Sequence, residues 1–567
     1  MDKKPRQSGK TSQEPPDAPQ TIGIARTLEW LLHLVRDRIV PNFRDFLGQR
    51  QPLVWAIALA IGASAAYLAI LFRMVIGFVQ LPWLGVRHEN VYAAAEGLPW
   101  WIIVLAPAVG GLAVGLFLQY LMPGRRVHVV ADVLEARALR GCRIPLRIGL
   151  GSALVSAVSL GSGASAGREG PVVHLGATIA SWLEDKFQLP QPARRTLLAC
   201  GVAAAVSASF NAPIAGVLFA HEVILSHYAL RAFVPIVISS VVATVIARIH
   251  LGDYPAFFIP DYQITSFWEF PAFALLGFTC AAVAILFQFA IVASDRVSQL
   301  VEVPLWTRPI IGGLMVGAIA VWFPQVLGVG YDATDAALKN QFPLYLMLTL
   351  LVLKAVATAI TLASRFGGGI FSPSLYLGAM AGGAFGIMAA GVFPDVSSSE
   401  GLYALLGMGG VAAAMLGAPI STTLIVFELT GGYAMTIALL LTVSISTGLT
   451  QAVHGQSFFH YQLSTRGIFL KEGPHKTIVR SIRVSSFMNP PEDDNGAQLE
   501  DYAEDTAWVT TDDTMEAALR AFDRTGYDHL PVVDSMDTGS LKGWVDRVDT
   551  LDAYNRALIA ATEEEHK

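Results

Sequence analysis

Six stretches of this chain, residues 52–82, 101–121, 268–292, 306–322, 343–363 and 433–453, are long and almost free of charge. Each approaches the roughly 20 apolar residues that cross the hydrocarbon of a bilayer. Hydrocarbon offers backbone N–H and C=O groups no water, so such stretches close their hydrogen bonds internally, as helices. Only 15% of the 567 residues are charged, against about 25% in soluble proteins. The expected fold class is an all-α polytopic membrane protein.

The formal net charge of −6 argues against a nucleic-acid partner, which selects basic surfaces. Cys142, Cys200 and Cys280 form no CxxC or zinc spacing, and no metal site is expected. Residues 1–21 are polar, with Lys3, Lys4, Arg6 and Lys10. They lack the apolar core of a cleavable signal peptide. Further basic residues at Arg26, Arg36, Arg38, Arg44 and Arg50 precede the first apolar run. By the positive-inside rule the N-terminus is expected to be cytoplasmic in a cell membrane, with the C-terminus on the same side.

Three regions follow. Residues 1–50 form a polar tail with an amphipathic stretch, Ile22–Leu47. Residues 51–463 form the membrane body. Residues 464–567 turn polar again, with an acidic loop at Glu492–Asp505. Within the membrane body many apolar pieces are short and broken by Gly or Pro: 146–160, 171–183, 197–208, 213–225, 373–391, 403–416 and 418–429. Such pieces suggest helices that stop inside the membrane and present their ends to a cavity.

The body also repeats itself. Pro171-Val-Val-His-Leu-Gly-Ala177 echoes Pro373-Ser-Leu-Tyr-Leu-Gly-Ala379, and that register pairs Gly167 with Gly369 and Glu169 with Phe371. Further on, Asn211-Ala-Pro-Ile-Ala-Gly-Val-Leu-Phe-Ala-His-Glu222 echoes Gly417-Ala-Pro-Ile-Ser-Thr-Thr-Leu-Ile-Val-Phe-Glu428. Two matches in the same order divide the body into halves of about 51–250 and 268–463. Paired broken helices at corresponding positions point to a site between the halves.

The sharpest motif is Gly167-Arg-Glu-Gly-Pro171. Its glycines allow a turn without side-chain crowding, and Pro171 suits the first turn of a helix. Free N–H groups and the positive helix end then converge on one point, an anion site. A carboxylate at Glu169 would occupy that site as a tethered competitor, and protonation would release it. The plainer reading makes Glu169 a helix-capping acid. An ionisable residue flanked by apolar spans is functional by default, which favours the gate. The repeat-mate, Gly367-Gly-Gly-Ile-Phe-Ser-Pro373, has the same turn chemistry without the acid. It leaves the N–H groups of Ile370 and Phe371 free at a helix start.

These two motifs, together with the Ala-Pro helix starts, resemble the CLC family of chloride channels and chloride/proton exchangers over roughly residues 50–463. The resemblance implies two inverted repeats of broken and tilted helices. It also implies a homodimer embedded in lipid, with one anion pathway per subunit and chloride as the bound and transported ion. By the same resemblance Glu169 is the gate, and Gly167, Arg168, Gly170, Gly369, Ile370 and Phe371 surround the anion.

Three positions depart from the family pattern. The inner anion motif is matched best by Val127-His-Val-Val-Ala131, which puts His128 at the anion-contacting position but replaces the flanking glycines by valines. An imidazole N–H can donate to an anion; a histidine facing the cytoplasmic vestibule is the alternative. The inner proton-carrying acid of the exchangers falls at Val223, which holds no proton; His221 or Glu222 would have to substitute, although Glu222 recurs as Glu428 and reads as a structural acid. The anion-site tyrosine falls at Phe459. Its missing hydroxyl removes about 1 kcal/mol of hydrogen bonding, unless Tyr461 supplies it. Lys354, in mid-span, either adds positive potential along the path or pairs with backbone carbonyls.

The tail reads as a small α/β unit. Ala507–Thr510, His529–Asp534 and Leu541–Val545 are expected strands, with a helix from Met515 and another over Asp549–Ala560. It resembles a CBS domain over 505–555, with a truncated first copy at Ile478–Met488. The resemblance makes Asp549 a candidate contact for the ribose of an adenine nucleotide; a dimerising role is the alternative.

The functional expectation is chloride transport, channel-like because of Val223 and gated by Glu169 with pH or voltage dependence, or else chloride/proton antiport. A CBS-bearing cation transporter would need intramembrane acid rings that are missing here. An intramembrane enzyme would need a His/Glu or Ser–His constellation, and His174, His221 and His454 form none, so an enzyme is not expected.

Overall fold

The computed structural model describes residues 32–48, 50–87, 90–253, 257, 260, 262–430, 433–468, 479, 482–490, 507–534 and 540–566. The polar N-terminal tail, the acidic loop Glu492–Asp505 and Ile478 lie outside the described residues. The chain forms two compact units, Met1–Val54 and Trp55–Lys567. The first carries a π-helical turn, Val35–Ile39, that runs on into the helix Val40–Gly48.

The second unit holds the membrane body and the α/β tail. Among the described residues, eight helices are long and apolar enough to cross a bilayer. Six coincide with the uncharged runs. The other two, Leu230–Leu251 and Phe371–Val392, escaped the reading for physical reasons. The first carries Arg231, Arg248 and His250 at its ends and Pro235 inside. The second is rich in glycine and alanine and looked like one of the broken pieces. Leu146–Gly161, Pro213–Leu225, Glu400–Leu416 and Pro419–Leu429 are apolar but too short, as expected of helices that end within the membrane.

The repeat seen in the sequence is a repeat of packing. In the first half, helix Glu169–Phe187 lies on helix Gln191–Phe210 so closely that a Cβ on Gly176 would stand 2.3 Å from the Gly201 carbonyl oxygen, and one on Gly201 would stand 2.3 Å from that of Gly176. In the second half, Phe371–Val392 lies on Glu400–Leu416 with Gly378 and Gly407 at 2.3 and 2.4 Å in the same sense. Only glycine admits that approach.

The halves also cap one another. Glu222 accepts hydrogen bonds from the N–H groups of Ile420 (3.1 Å) and Ser421 (2.8 Å), and from the Ser421 hydroxyl. Glu428 accepts from Ile214 (3.0 Å) and Ala215 (2.7 Å). Each acid satisfies the orphan donors at the start of the other half's Ala-Pro helix. The recurring acid is therefore structural in both places.

The tail contains three strands in the order β1 (Val509–Thr510), β2 (His529–Val533) and β3 (Leu541–Asp546). β1 and β2 run parallel, and β2 and β3 antiparallel with His529 opposite Asp546. Helix Met515–Thr525 begins at Thr514, whose hydroxyl accepts from Ala517 N–H, and ends at Gly526 with φ 72°. Its apolar face closes a core of Phe522, Leu530, Val532 and Val545. Residues 482–490 join this same core instead of opening a separate copy. Val484 lies in it, Met515 N–H donates to the Ile482 carbonyl, and Asn489 pairs with Trp544.

Candidate anion site

The site is built where the two Gly-rich turns meet. Gly167 and Gly369 form an antiparallel bridge. The helices Glu169–Phe187 and Phe371–Val392 start just beyond it. The turns are pinned from outside. Gly367 N–H donates to the Ser159 hydroxyl at 2.9 Å, and Ser165 N–H to the Thr361 hydroxyl at 3.2 Å. Among the described residues, the N–H groups of Ile370 and Phe371 have no hydrogen-bond partner within the protein, which leaves a helix start open to an anion.

Glu169, 3% exposed, fills this junction. One carboxylate oxygen accepts from the Tyr331 hydroxyl at 2.5 Å and the other from the Ser372 hydroxyl at 2.5 Å. The Arg168 Nε stands 3.8 Å away, with its guanidinium 4.9 Å from the centre of the Tyr331 ring. These are short, charge-assisted contacts. They hold Glu169 across the path instead of along a surface.

A cavity of about 680 Å³ rises to that carboxylate. It is lined by Glu169, Gly170, Gly369, Ile370 and Phe371 at the two helix starts, by Val127, Val129, Val130 and Phe459, and by Arg126, Arg296, Arg365 and Arg466 with one further acid, Asp295. Arg126 and Arg466 also hold the buried Asp132, at 2.6 and 2.8 Å, which offsets part of their charge; the arginine that remains in excess draws anions into the cleft. Tyr461 lines the cavity together with Phe459.

Three residues expected on the path do not face it. Gly167 is spent on the bridge. Arg168 turns to the Tyr331 ring and, at 3.4 Å, to the Ser209 carbonyl. His128, 7% exposed, has its backbone N–H bound to the Ser152 hydroxyl at 3.1 Å, and its ring 5.9 Å from that of His174. Its neighbours Val127 and Val129 take the cavity wall, as alternation along an extended segment requires. Val223 is buried in the π-helical turn Ala220–Leu225. His221 is bound to the His227 carbonyl at 3.0 Å, and Glu222 is the cap already described, so neither faces the cavity. Lys354 resolves in favour of carbonyls: it is fully buried and donates to Val326 O at 3.0 Å and Gly328 O at 2.9 Å. It thereby fixes the turn that delivers Tyr331.

Tyr331 and Ser372 were missed in the sequence. Ser372 lies inside the quoted motif, and Tyr331 follows Gly328-Val-Gly330, the one glycine pair in that stretch. In the tail, Asp549 accepts from the Asn489 amide at 2.8 Å, and Asp546 from the same amide at 3.0 Å.

Comparison with known proteins agrees with this geometry. The family model "Voltage gated chloride channel" matches residues 110–451, and the CBS domain model matches 499–556. A putative chloride channel protein, ClcB-like, of Ralstonia nicotianae is 33% identical over 390 residues, 68% of this chain and 91% of that one. The H(+)/Cl(-) exchange transporter ClcA of Cronobacter sakazakii is 30% identical over 394 residues, 66% and 83% of the two chains. Two solved structures share the fold: a slow cyanobacterial Cl-/H+ antiporter (TM-score 0.65, 20% identity, 73% of this chain and 97% of that one) and a CLC-type fluoride/proton antiporter (TM-score 0.60, 23% identity, 72% and 97%). With two inverted repeats meeting at paired helix starts and a family model spanning most of the membrane body, the chain belongs to the CLC family of voltage gated chloride channels and their exchanger relatives.

Proposed function

We propose that this protein is an integral membrane transporter that exchanges chloride, or an anion of similar size, for protons, with Glu169 as the shared group. The carrying observation is the position of Glu169. Its carboxylate sits at an arginine-lined cavity, between two helix starts, with the N–H groups of Ile370 and Phe371 open at the second among the described residues. An anion and this carboxylate compete for the same space. A proton on Glu169 removes the competitor, so proton and anion occupancy are linked. The relatives named as exchangers, and the antiporters that share the fold, support coupling over passive flow, which reverses the order suggested by Val223 alone. By family likeness the protein works as a homodimer in the cell membrane with both termini cytoplasmic. Gly170, Ile370 and Phe371 are the anion contacts, while Gly369, its N–H spent on the bridge, shapes the wall together with Phe459.

Passive, channel-like conduction is the second reading. It is favoured by Val223, a valine at the inner proton position, with His221 and Glu222 both engaged elsewhere. Reconstituted protein in liposomes separates the two. An imposed chloride gradient is expected to drive protons uphill, and Glu169→Gln is expected to abolish that movement and the pH dependence of chloride flux. Chloride flux without proton movement would establish the channel.

A further inference from the structure

Helix Glu169–Phe187 carries a second polar set turned away from the cavity. Glu169, Gly170 and Val173 line the cavity. His174, Thr178, Ser181 and Glu184 do not, and all four are buried. At about 3.6 residues per turn, His174, Thr178 and Ser181 fall on one narrow stripe, with Glu184 within a quarter turn of it.

Two of these groups lack the partners that buried polar atoms require. Glu184 is 0% exposed, and among the described residues neither carboxyl oxygen has a hydrogen-bond partner. Glu222, Glu428 and Glu269 in the same membrane body all accept several hydrogen bonds. His174, 1% exposed, has an unpartnered Nδ1, as does His128 beside it. Hydroxyls lie between. Thr178 donates to the His174 carbonyl at 2.7 Å, and Ser181 accepts from Ile144 N–H at 2.9 Å. An unbridged buried carboxyl is costly as a fixed charge and suited to passing a proton. Unpartnered polar atoms of this kind are also where buried water settles.

The surroundings fix which end is wet. Glu184 lies next to Asp185, Arg143 and Arg194, with Cys142, Arg137 and Arg195 nearby. Both Arg143 (3.5 Å) and Arg194 (3.1 Å) bind Asp185, whose side chain is 45% exposed. The histidines face Asp132 and Arg126, and His128 also faces Arg466 and Arg140.

We propose that this buried stripe is a proton path separate from the anion cavity, with Glu184 taking protons from the solution at its end of the helix and His174 relaying them toward Glu169. The proposal rests on the exchange reading. A proton forms an O–H on Glu184, leaves it for water held among the Ser181 and Thr178 hydroxyls, and forms an N–H on His174. The ring releases one proton as it gains one, and Glu169 receives it and vacates the anion site. Along the helix axis the rises are about 15 Å from Glu184 to His174, with the Ser181 and Thr178 hydroxyls between them, and about 7.5 Å from His174 to Glu169. The path supplies what Val223 cannot.

The test uses full-length protein in liposomes, with chloride followed by an ion-selective electrode and protons by a pH dye under an imposed chloride gradient. Glu184→Gln and, separately, His174→Gln are expected to lower proton flux about tenfold or more while chloride, which still competes the unprotonated Glu169 out of the site, flows on uncoupled; Glu184→Asp keeps part of the proton flux. A wild-type proton-to-chloride ratio in Glu184→Gln overturns the proposal and leaves exchange standing. Loss of both fluxes together assigns Glu184 a structural role and overturns it too. A wild-type protein that moves no protons uphill overturns the exchange reading itself, and this path with it.

Discussion

Gly167 and Gly369 exchange both of their backbone hydrogen bonds, each N–H reaching the other's carbonyl oxygen at 2.7 Å. The two residues are partners in the sequence repeat, so the local two-fold axis of the membrane body passes between them. The bridge fixes the separation of the two helix starts that define the site. A methyl group on Gly369 would stand 3.0 Å from the Gly170 nitrogen and 3.2 Å from its Cα. Gly369→Ala is expected to spread the junction at a cost of about 1–3 kcal/mol and to lower anion flux about tenfold. Flux at the wild-type rate would show that the bridge does not set the site.

Tyr331→Phe removes one of the two short hydrogen bonds on Glu169. A hydrogen bond to a charged group is worth about 1.5–3 kcal/mol. The phenol holds the carboxylate in the anion site, so without it chloride displaces that carboxylate more readily. Chloride flux is expected to rise about tenfold, the factor that about 1.4 kcal/mol corresponds to. An unchanged flux would remove Tyr331 from the gate. Ser372→Ala is expected to act in the same direction through the other oxygen.

Glu428→Ala strips the N–H groups of Ile214 and Ala215 of their acceptor. Glu222→Ala does the same to Ile420 and Ser421. Each substitution is expected to cost about 1–3 kcal/mol, read as a lower Tm of detergent-solubilised protein, with anion selectivity unchanged. A changed selectivity with an unchanged Tm would contradict the capping role.

In the tail, Asn489 holds Asp549 and Asp546 together. A ribose would have to displace that amide. Wild-type protein is expected to show no Tm shift with ATP at about 1 mM, whereas a binder with Kd near 10 μM would gain about 2.7 kcal/mol. Asn489→Ala is the variant expected to uncover weak binding. A clear shift in the wild type would restore the nucleotide role.

The sequence was most legible where backbone geometry demands particular residues. Helix starts that point into a cavity need Gly and Pro, and the repeat wrote those requirements twice, so Glu169, Ile370 and Phe371 could be named in advance. Tyr331 and Ser372 could not be ranked, because their contacts to Glu169 span 162 and 203 residues and depend on a turn fastened by Lys354. His128 was legible as a residue and not as a direction, since a single alternation step decides whether it or its valine neighbours meet the cavity. The span Leu230–Leu251 was hidden by charges that belong to its ends.

The crossed acids carry a consequence for how the chain is made. Ile214 and Ala215 emerge from the ribosome 214 residues before the carboxylate that satisfies Ala215's neighbour. Translation therefore leaves the first half waiting with bare donors at a helix start, where lipid would be a poor substitute for Glu428. The half that is made first is an unfinished intermediate, and a chain truncated after it keeps those donors bare. The second half acts as the template on which the first completes its fold, and the first does the same service in return through Glu222.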